Sequence, residues 1–541
     1  MPDGTRLASR LWIPEGAEED PVPAILEYIP YRKRDYKRVR DDANAGYVAG
    51  YGYAVIRADI RGSGDSEGVL RDEYLEQELE DGEEIIRWIA SQNWCNGRVG
   101  MIGISWGGFN GLQIAARRPE ALKAVITVCS TDDRYADDVH YIGGCLLGDN
   151  LSWASVMFGR NSLAPDPEVV GQGWKEMWLK RLEHSGLWLK NWLEHQHRDD
   201  YWKHGSVCEN YDDIQCPVMA VSGWADGYSN AVFRMLKNLK VPRMGLVGPW
   251  SHRYPHDGIP GPAIGFLQES IRWWDQWLKE SETGLREEPV LKAWMQESIP
   301  PATSYEERPG YWVGLNEWPS EKVGSRSLYL TGGYTLSEKE PNADPEPFWV
   351  KSPLSLGMFA GKWCSYSAPP DLPGDQREED GGALVFNGEI LKENLEILGA
   401  PEVDLILDAD RPVAMVGVRL SDVAGDGKVS RVSYGVFNMT HHQSHENPEP
   451  LVRGKKYRIR FPMNEIAHIF PAGHRIRISI SSSYFPLAWP PPELTTLRIY
   501  TGESLVRLPV LRGEGDAEVS FGPPEAAGPS TNKREIGRAH V

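Results

Sequence analysis

Up to about residue 130 the apolar positions come in short runs separated by turns and by one amphipathic stretch. Leu7 to Trp12, Ala24 to Ile29, Tyr53 to Ala58, Val99 to Ile102 and Ala124 to Val128 read as strands. Their near-continuous apolar character suits strands covered on both faces. Between Tyr74 and Ser91, Leu75, Leu79, Ile85, Ile86 and Ile89 recur with acids between them. That spacing predicts an amphipathic helix with its charged face in water. Phe109 to Arg117 reads as another helix. Strands alternating with helices predict a parallel sheet with helices on both faces.

From about Thr131 to Asp213 the strand-like runs stop. Trp153, Trp174, Trp178, Trp188, Trp192 and Trp202 stand among charged residues at irregular helical spacing. This predicts a helical cap, residues 131–213, inserted into the sheet unit. Most of these tryptophans are expected to pack the cap, with a few left to line a pocket. The sheet resumes with Pro217 to Ser222 and Arg243 to Val247, each followed by a helix (Asn230 to Leu239 and about Ile264 to Glu280). The sheet unit is thus expected over 1–130 and 214–300. Beyond Pro300 proline and glycine become dense and runs of period two replace helices, as in Val403 to Leu407, Tyr457 to Phe461 and Arg475 to Ile480. Short strands with turn signals between them predict a β-sandwich over 301–534, of jelly-roll type.

A chain of 541 residues is too long for one domain. Its net charge of -19, from 58 basic and 77 acidic residues, argues against nucleic-acid and anionic-membrane partners. No stretch approaches the ~18 apolar residues of a membrane span. The six cysteines form no C-x-x-C pair and read as reduced core residues of a cytoplasmic protein. The basic run Arg32 to Arg38 reads as a solvated loop. Met1 to Leu7 resembles a hairpin turn, so the chain is expected to begin inside its first hairpin, a leader being lost with the first strand. Residues 535–541 read like translated adapter sequence and are expected to be non-native.

Chemistry enters at Gly103-Ile104-Ser105-Trp106-Gly107. G-x-S-x-G is weak in a chain with 55 glycines. Here it lies between an apolar strand and a helix, as a nucleophile elbow requires. A serine hydroxyl needs a base to take its proton and an acid to orient that base. Asp226 follows one later strand and His252 another, in the order Ser, Asp, His. All three fall where parallel strands give way to loops, above which side chains converge. For the oxyanion, the Trp106 N–H is one candidate donor. In the loop after an early strand, Tyr31 either lends its hydroxyl as the second donor or packs beside Pro30. Trp153, Phe158, Trp224 and Tyr228 are the candidate pocket residues. No metal and no cofactor is expected. Gly62 to Gly68 opens no helix and carries acids that would repel phosphate, and His441-His442-x-x-His445 reads as a surface loop.

These motifs, with Pro30-Tyr31, Arg61-Gly62-Ser63-Gly64, Gly97-Arg98-Val99-Gly100, Gly223-Trp224-x-Asp226, Gly248-Pro249-Trp250-x-His252 and Gly473-His474-Arg475-x-Arg477, resemble a known family. It is the cocaine-esterase-like and X-Pro dipeptidyl-peptidase-like serine hydrolases, whose members include glutaryl acylases and α-amino-acid ester hydrolases. The resemblance implies an α/β-hydrolase domain with a helical cap and a C-terminal jelly roll. It also implies a Ser105, Asp226, His252 triad with Tyr31 and Trp106 as oxyanion donors, and makes a homodimer the expected assembly. Trp106 stands where the family usually has tyrosine. Tyr228 and Ser229 stand where the amino-acid ester hydrolases carry acids for the substrate ammonium. The expected activity is hydrolysis of esters with small aromatic or aliphatic acyl groups. The alternatives are an amide or peptide hydrolase and a carbohydrate-binding protein on an inactive scaffold.

Overall fold

The computed structural model describes residues 1–525 except Tyr36 and Ala343, together with the backbone of Lys533–Arg538. The first strands are β1 (Ala8–Ile13), β2 (Val22–Ile29), β3 (Ala54–Asp59), β4 (Cys95–Ile104) and β5 (Leu122–Val128). They lie in the order β1-β3-β2-β4-β5, and the sheet continues through Val218–Gly223, Arg243–Gly248 and Leu291–Gln296. All but β1 run parallel to their neighbours. From β2 the chain steps outward one way to β3, and from β4 the other way to β5. The crevice beyond the carboxyl ends of β2 and β4 is therefore the switch point where α/β sheets place their ligands. Tyr31 and Ser105 lie at those two ends.

The sheet does not stop at residue 300. Gly310–Leu315 adds an antiparallel edge strand, and Gln296 pairs with His468 of the C-terminal half. The expected boundary thus falls inside a run of paired strands. The C-terminal half is built of mostly antiparallel strands, including Glu402–Ala409, Tyr457–Pro462 and Arg475–Ser481, around a second apolar core with Leu405, Leu407, Val418, Ile478 and Ile480. At the other edge the backbone of Lys533–Arg538 pairs with β1. Residues 539–541 of the suspected non-native tail lie outside the described residues.

Helices α1 (Arg38–Gly50), α2 (Glu76–Ala90) and α3 (Trp106–Ala116) flank the sheet, and α4 (Asp149–Asn161) opens the helical segment that also holds Trp174–His184 and Trp188–Glu194. In α2, Leu79, Ile85, Ile86 and Ile89 are buried as their spacing predicts, but so are Glu78 and Asp81. Its polar face is not all in water, because Arg61 pairs with Asp81 at 2.6 Å.

The basic run after β2 is not a solvated loop. Lys33 is 1% exposed and its ammonium lies 3.0 Å from Asp59 and 2.7 Å from Asp65. A buried cation is tolerable only with such paired carboxylates. Arg34 reaches Asp166 at 3.1 Å and Arg32 bonds the carbonyl of Ala164, so the run ties the sheet to the helical segment. Its Tyr36 lies outside the described residues. Opposite, the Arg181 guanidinium donates to the carbonyls of Gly64, Ser66 and Gly68. The glycine-rich turn is a dock for a helix. At Gly64 a Cβ would strike the Asp59 carboxylate. His441 also departs from expectation: it is 5% exposed, stacked on Tyr135 and facing His445.

Candidate active site

Ser105 sits between β4 and α3 at φ 60° and ψ -124°, a conformation L-residues avoid. The flanking glycines make it possible. A Cβ at Gly103 would come within 2.4 Å of the Gly107 backbone, and one at Gly107 within 2.8 Å of Ile29. Below the turn, Ser105 N–H donates to Val128 (2.8 Å), and its carbonyl accepts from Gly108 and Phe109, starting α3. Trp106 is the first residue of α3, so its N–H has no acceptor within its own helix. The indole is fully buried and donates to Glu78 Oε1 at 2.5 Å.

Asp226 follows the strand Val218–Gly223. Its Oδ2 accepts from Ser222 Oγ (2.7 Å), and its Oδ1 lies 2.9 Å from His252 Nδ1. Burial pushes this carboxyl up, but His252 and the Ser222 hydrogen bond outweigh it and hold the group below its ordinary value. It is therefore an anion at neutral pH. His252 comes after Arg243–Gly248, in a loop fixed by Trp250, whose indole donates to Pro262. The C-terminal half completes the arrangement: His252 N–H donates to Ser365, Cys364 Sγ donates to Asp226 at 3.3 Å, and the Tyr366 ring lies 5.2 Å from the imidazole. Cys129, Asp226 and His252 offer donor atoms within 4.8 Å of one another, the sole such trio among the described residues. Two of its three donors are already engaged with each other.

Ser105 and His252 face one cavity of about 520 Å³ together with Tyr31, Trp153 and Tyr366. The Tyr31 hydroxyl lies beside Ser105, and burial pushes the phenol well above its ordinary value. It therefore remains a proton donor. Trp153 lies on the α4 face that also presents Val156 and Arg160 to the cavity. These positions are three and seven residues apart, one helical stripe. Phe158 is off that stripe, 66% exposed. Trp224 turns away from the cavity, donating to the Trp294 carbonyl and stacking on Phe233. Tyr228 is buried behind the imidazole, its ring 5.8 Å from His252 and its hydroxyl 2.8 Å from Asp138. Of the four candidate pocket residues, Trp153 alone lines this cavity.

Sequence reasoning missed the basic residues of the wall, Lys37, Arg40, Arg160 and Arg253. The spacing on α4 could have flagged Arg160. Nothing local marks Tyr366, which arrives from the other half of the chain.

Residues 3–254 match the family described as X-Pro dipeptidyl-peptidase (S15 family), and residues 283–525 match the X-Pro dipeptidyl-peptidase C-terminal non-catalytic domain. The chain is 26% identical to the cocaine esterase of Rhodococcus sp. (strain MB1 Bresler) over 531 aligned residues, 90% of each chain. Among solved structures it resembles an aminopeptidase from a marine sediment Thaumarchaeota archaeon (TM-score 0.75, 21% identity, 94% and 95% of the two chains). It also resembles an α-amino acid ester hydrolase (TM-score 0.71, 21% identity, 94% and 95%). With both halves matched to the two domains of one family, the chain belongs to the S15-type serine hydrolases, the group that includes cocaine-esterase-like enzymes.

Proposed function

We propose that this protein is a serine esterase that hydrolyses carboxylic esters with small aromatic or aliphatic acyl groups through an acyl-enzyme. One observation carries the reading. Ser105, strained at a strand end, faces the same cavity as a histidine bonded to a buried, ionised aspartate. In this mechanism Ser105 attacks the acyl carbonyl. His252 accepts the serine proton and passes it to the leaving alcohol, and Asp226 keeps the imidazole oriented and stabilises its charged form. The Trp106 N–H and the Tyr31 hydroxyl take the oxyanion. Water, activated by His252, then releases the acid.

The C-terminal half acts here as a jelly-roll domain that buttresses His252 and Asp226, with residues 131–213 as the cap. Six free cysteines support a reducing, cytoplasmic setting, and a homodimer is our reading of the assembly, open to light scattering. Amide or peptide hydrolysis is the second reading, favoured by the S15 family match. Against it, Tyr228 and Ser229 offer no carboxylate next to Asp226 for a substrate α-amine. The test is labelling by a fluorophosphonate probe, with Ser105→Ala as control, followed by turnover of simple esters against aminoacyl and Xaa-Pro amides. Labelling lost in Ser105→Ala, with esters preferred, is expected. Folded protein that takes no label would leave only a binding role, and preferred cleavage of amides would transfer the function to the peptidase reading.

A further inference from the structure

Asp72 and Glu73 are neighbouring acids in the bend before α2, and both are buried. Each receives an indole from the helical segment. Asp72 accepts from Trp192 at 3.0 Å, and from the Asn191 amide and the Tyr201 hydroxyl at 2.9 Å. Glu73 Oε1 accepts from Trp153, the α4 residue that lines the cavity over Ser105. A buried carboxylate keeps its charge only beside cations and donors that replace water. Glu73 has both. Its Oε2 lies 3.0 Å from His140 Nε2 and 3.6 Å from the Arg134 guanidinium. Burial pushes the Glu73 carboxyl up, but His140, Arg134 and the Trp153 bond outweigh it and hold the group below its ordinary value.

His140 is fully buried and meets an oxygen at each ring nitrogen. Nε2 faces Glu73, and Nδ1 lies 2.6 Å from Asn150 Oδ1. A neutral imidazole donates from one nitrogen only, whereas the imidazolium donates from both. Burial pushes the ring down, but Glu73 and Asp138 more than reverse this and favour its charged form. Besides Glu73, the groups around the ring are Arg134, Asp138, whose carboxyl burial pushes up to about 6, and the Trp192 and Trp202 rings at 4.6 Å and 4.8 Å. Asn150 and Trp153 are three residues apart, on one side of α4. The pair of Glu73 and His140 therefore grips this helix at two points one turn apart. The gripped stretch carries the cavity wall. Val156 and Arg160 follow on the same stripe, and the Trp153 ring packs 6.4 Å from Tyr31 and 6.3 Å from Trp106.

We propose that Glu73 and His140 form a buried ion pair that sets acyl-chain specificity, by fixing α4, and with it Trp153, at one distance from Ser105. Both are positioning residues: they act through Trp153 and Asn150 and touch no substrate. This rests on the esterase reading above and names what holds its acyl pocket in shape.

The readout is the ratio of kcat/KM for p-nitrophenyl hexanoate to that for p-nitrophenyl acetate, because the longer acyl chain depends more on the wall. In Glu73→Ala this ratio should fall by about tenfold, the worth of roughly two buried methylenes, and through KM rather than kcat. Glu73→Gln keeps an oxygen for the indole and should restore most of the ratio. In a Trp153→Phe background, which lacks the indole N–H, Glu73→Ala should lower the ratio no further. Asn150→Ala cuts the second grip and should lower the ratio in the same direction. It decides the matter if Glu73→Ala, which strands two buried cations, does not fold. In nitrogen NMR of histidine-labelled wild type, one imidazole should stay protonated at both nitrogens at about pH 8, and lose one of those protons in Glu73→Gln. A ratio unmoved by Glu73→Ala and Asn150→Ala, a full further fall in the Trp153→Phe background, or no doubly protonated imidazole at that pH would overturn the inference. Fluorophosphonate labelling reads Ser105 separately. Variants that label and cleave esters with the wild-type chain preference refute the clamp and leave the esterase reading standing, whereas wild type that takes no label removes both.

Discussion

At the scale of single residues, Glu78 is a buried acid held against Trp106, the residue next to Ser105. It is 2% exposed, and it accepts the Trp106 indole N–H. Burial, only partly offset by the bond from Trp106 and by Asn110 nearby, pushes its carboxyl from the ordinary 4.5 up to about 8. Between those values the folded protein keeps a proton that the unfolded chain has lost. The contribution of Glu78 to stability therefore falls as pH rises through that window and is level above it. Glu78→Gln mimics the protonated acid and should flatten the loss of melting temperature from about pH 5 to 8. Glu78→Ala removes the acceptor of a buried indole and should cost about 1–3 kcal/mol in denaturant unfolding. Because the Trp106 N–H is a proposed oxyanion donor, Glu78→Ala should also lower kcat, whereas Glu78→Gln should retain most of it. At Asp226, replacement by Asn should lower kcat by about 10³–10⁴-fold, since the imidazole would lose its anionic partner. An Asp226→Asn variant with near-normal turnover would remove the aspartate from the mechanism.

At the scale of elements, the helix Trp174–His184 is tied to the sheet unit through Arg181, besides the bond of Trp178 to the Ser162 carbonyl. Arg181 is 2% exposed and donates to three carbonyls of the turn after β3. Arg181→Ala would leave those carbonyls without that donor, at a cost of about 1–3 kcal/mol. Limited proteolysis should then cut between residues 162 and 195 faster than in wild type, while the melting of the C-terminal half stays unchanged. Equal cleavage rates would show that other contacts dock this helix. The same scale explains the selection among the aromatic candidates. Whether a side chain on α4 meets the cavity depends on its position around the helix, which separates Trp153 from Phe158. Sequence could list the aromatics but not orient the helix that carries them.

At the scale of the whole molecule, the two halves share one site. Ser365 accepts from the His252 backbone, and Tyr366 lines the cavity. Tyr366 is about half exposed and packs against the imidazole. Tyr366→Ala should raise KM for esters with little change in melting temperature, as expected for a partly exposed side chain. Unchanged kinetics would restrict the C-terminal half to support of the loop backbone. The parallel pairing of Gln296 with His468 joins the two halves through backbone as well as side chains.

The glycine-flanked turn at Ser105, the placing of Ser105, Asp226 and His252 after strands, the central strands and the alternating strands of the second half were all legible in the chain. Each depends on local geometry: a strained turn needs glycines on both sides, and burial on a strand or helix has a fixed period. Tertiary structure alone decided which charges are buried and which face the site. Lys33, Glu78 and Asp81 look like solvent residues until Asp59 and Asp65, Trp106, and Arg61 are brought to them from elsewhere in the chain. Lys37, Arg160 and Arg253 become one wall only when α4 folds over the carboxyl ends of the strands. Polarity is a property of a residue, whereas the free energy of a charge is set by its neighbours in space.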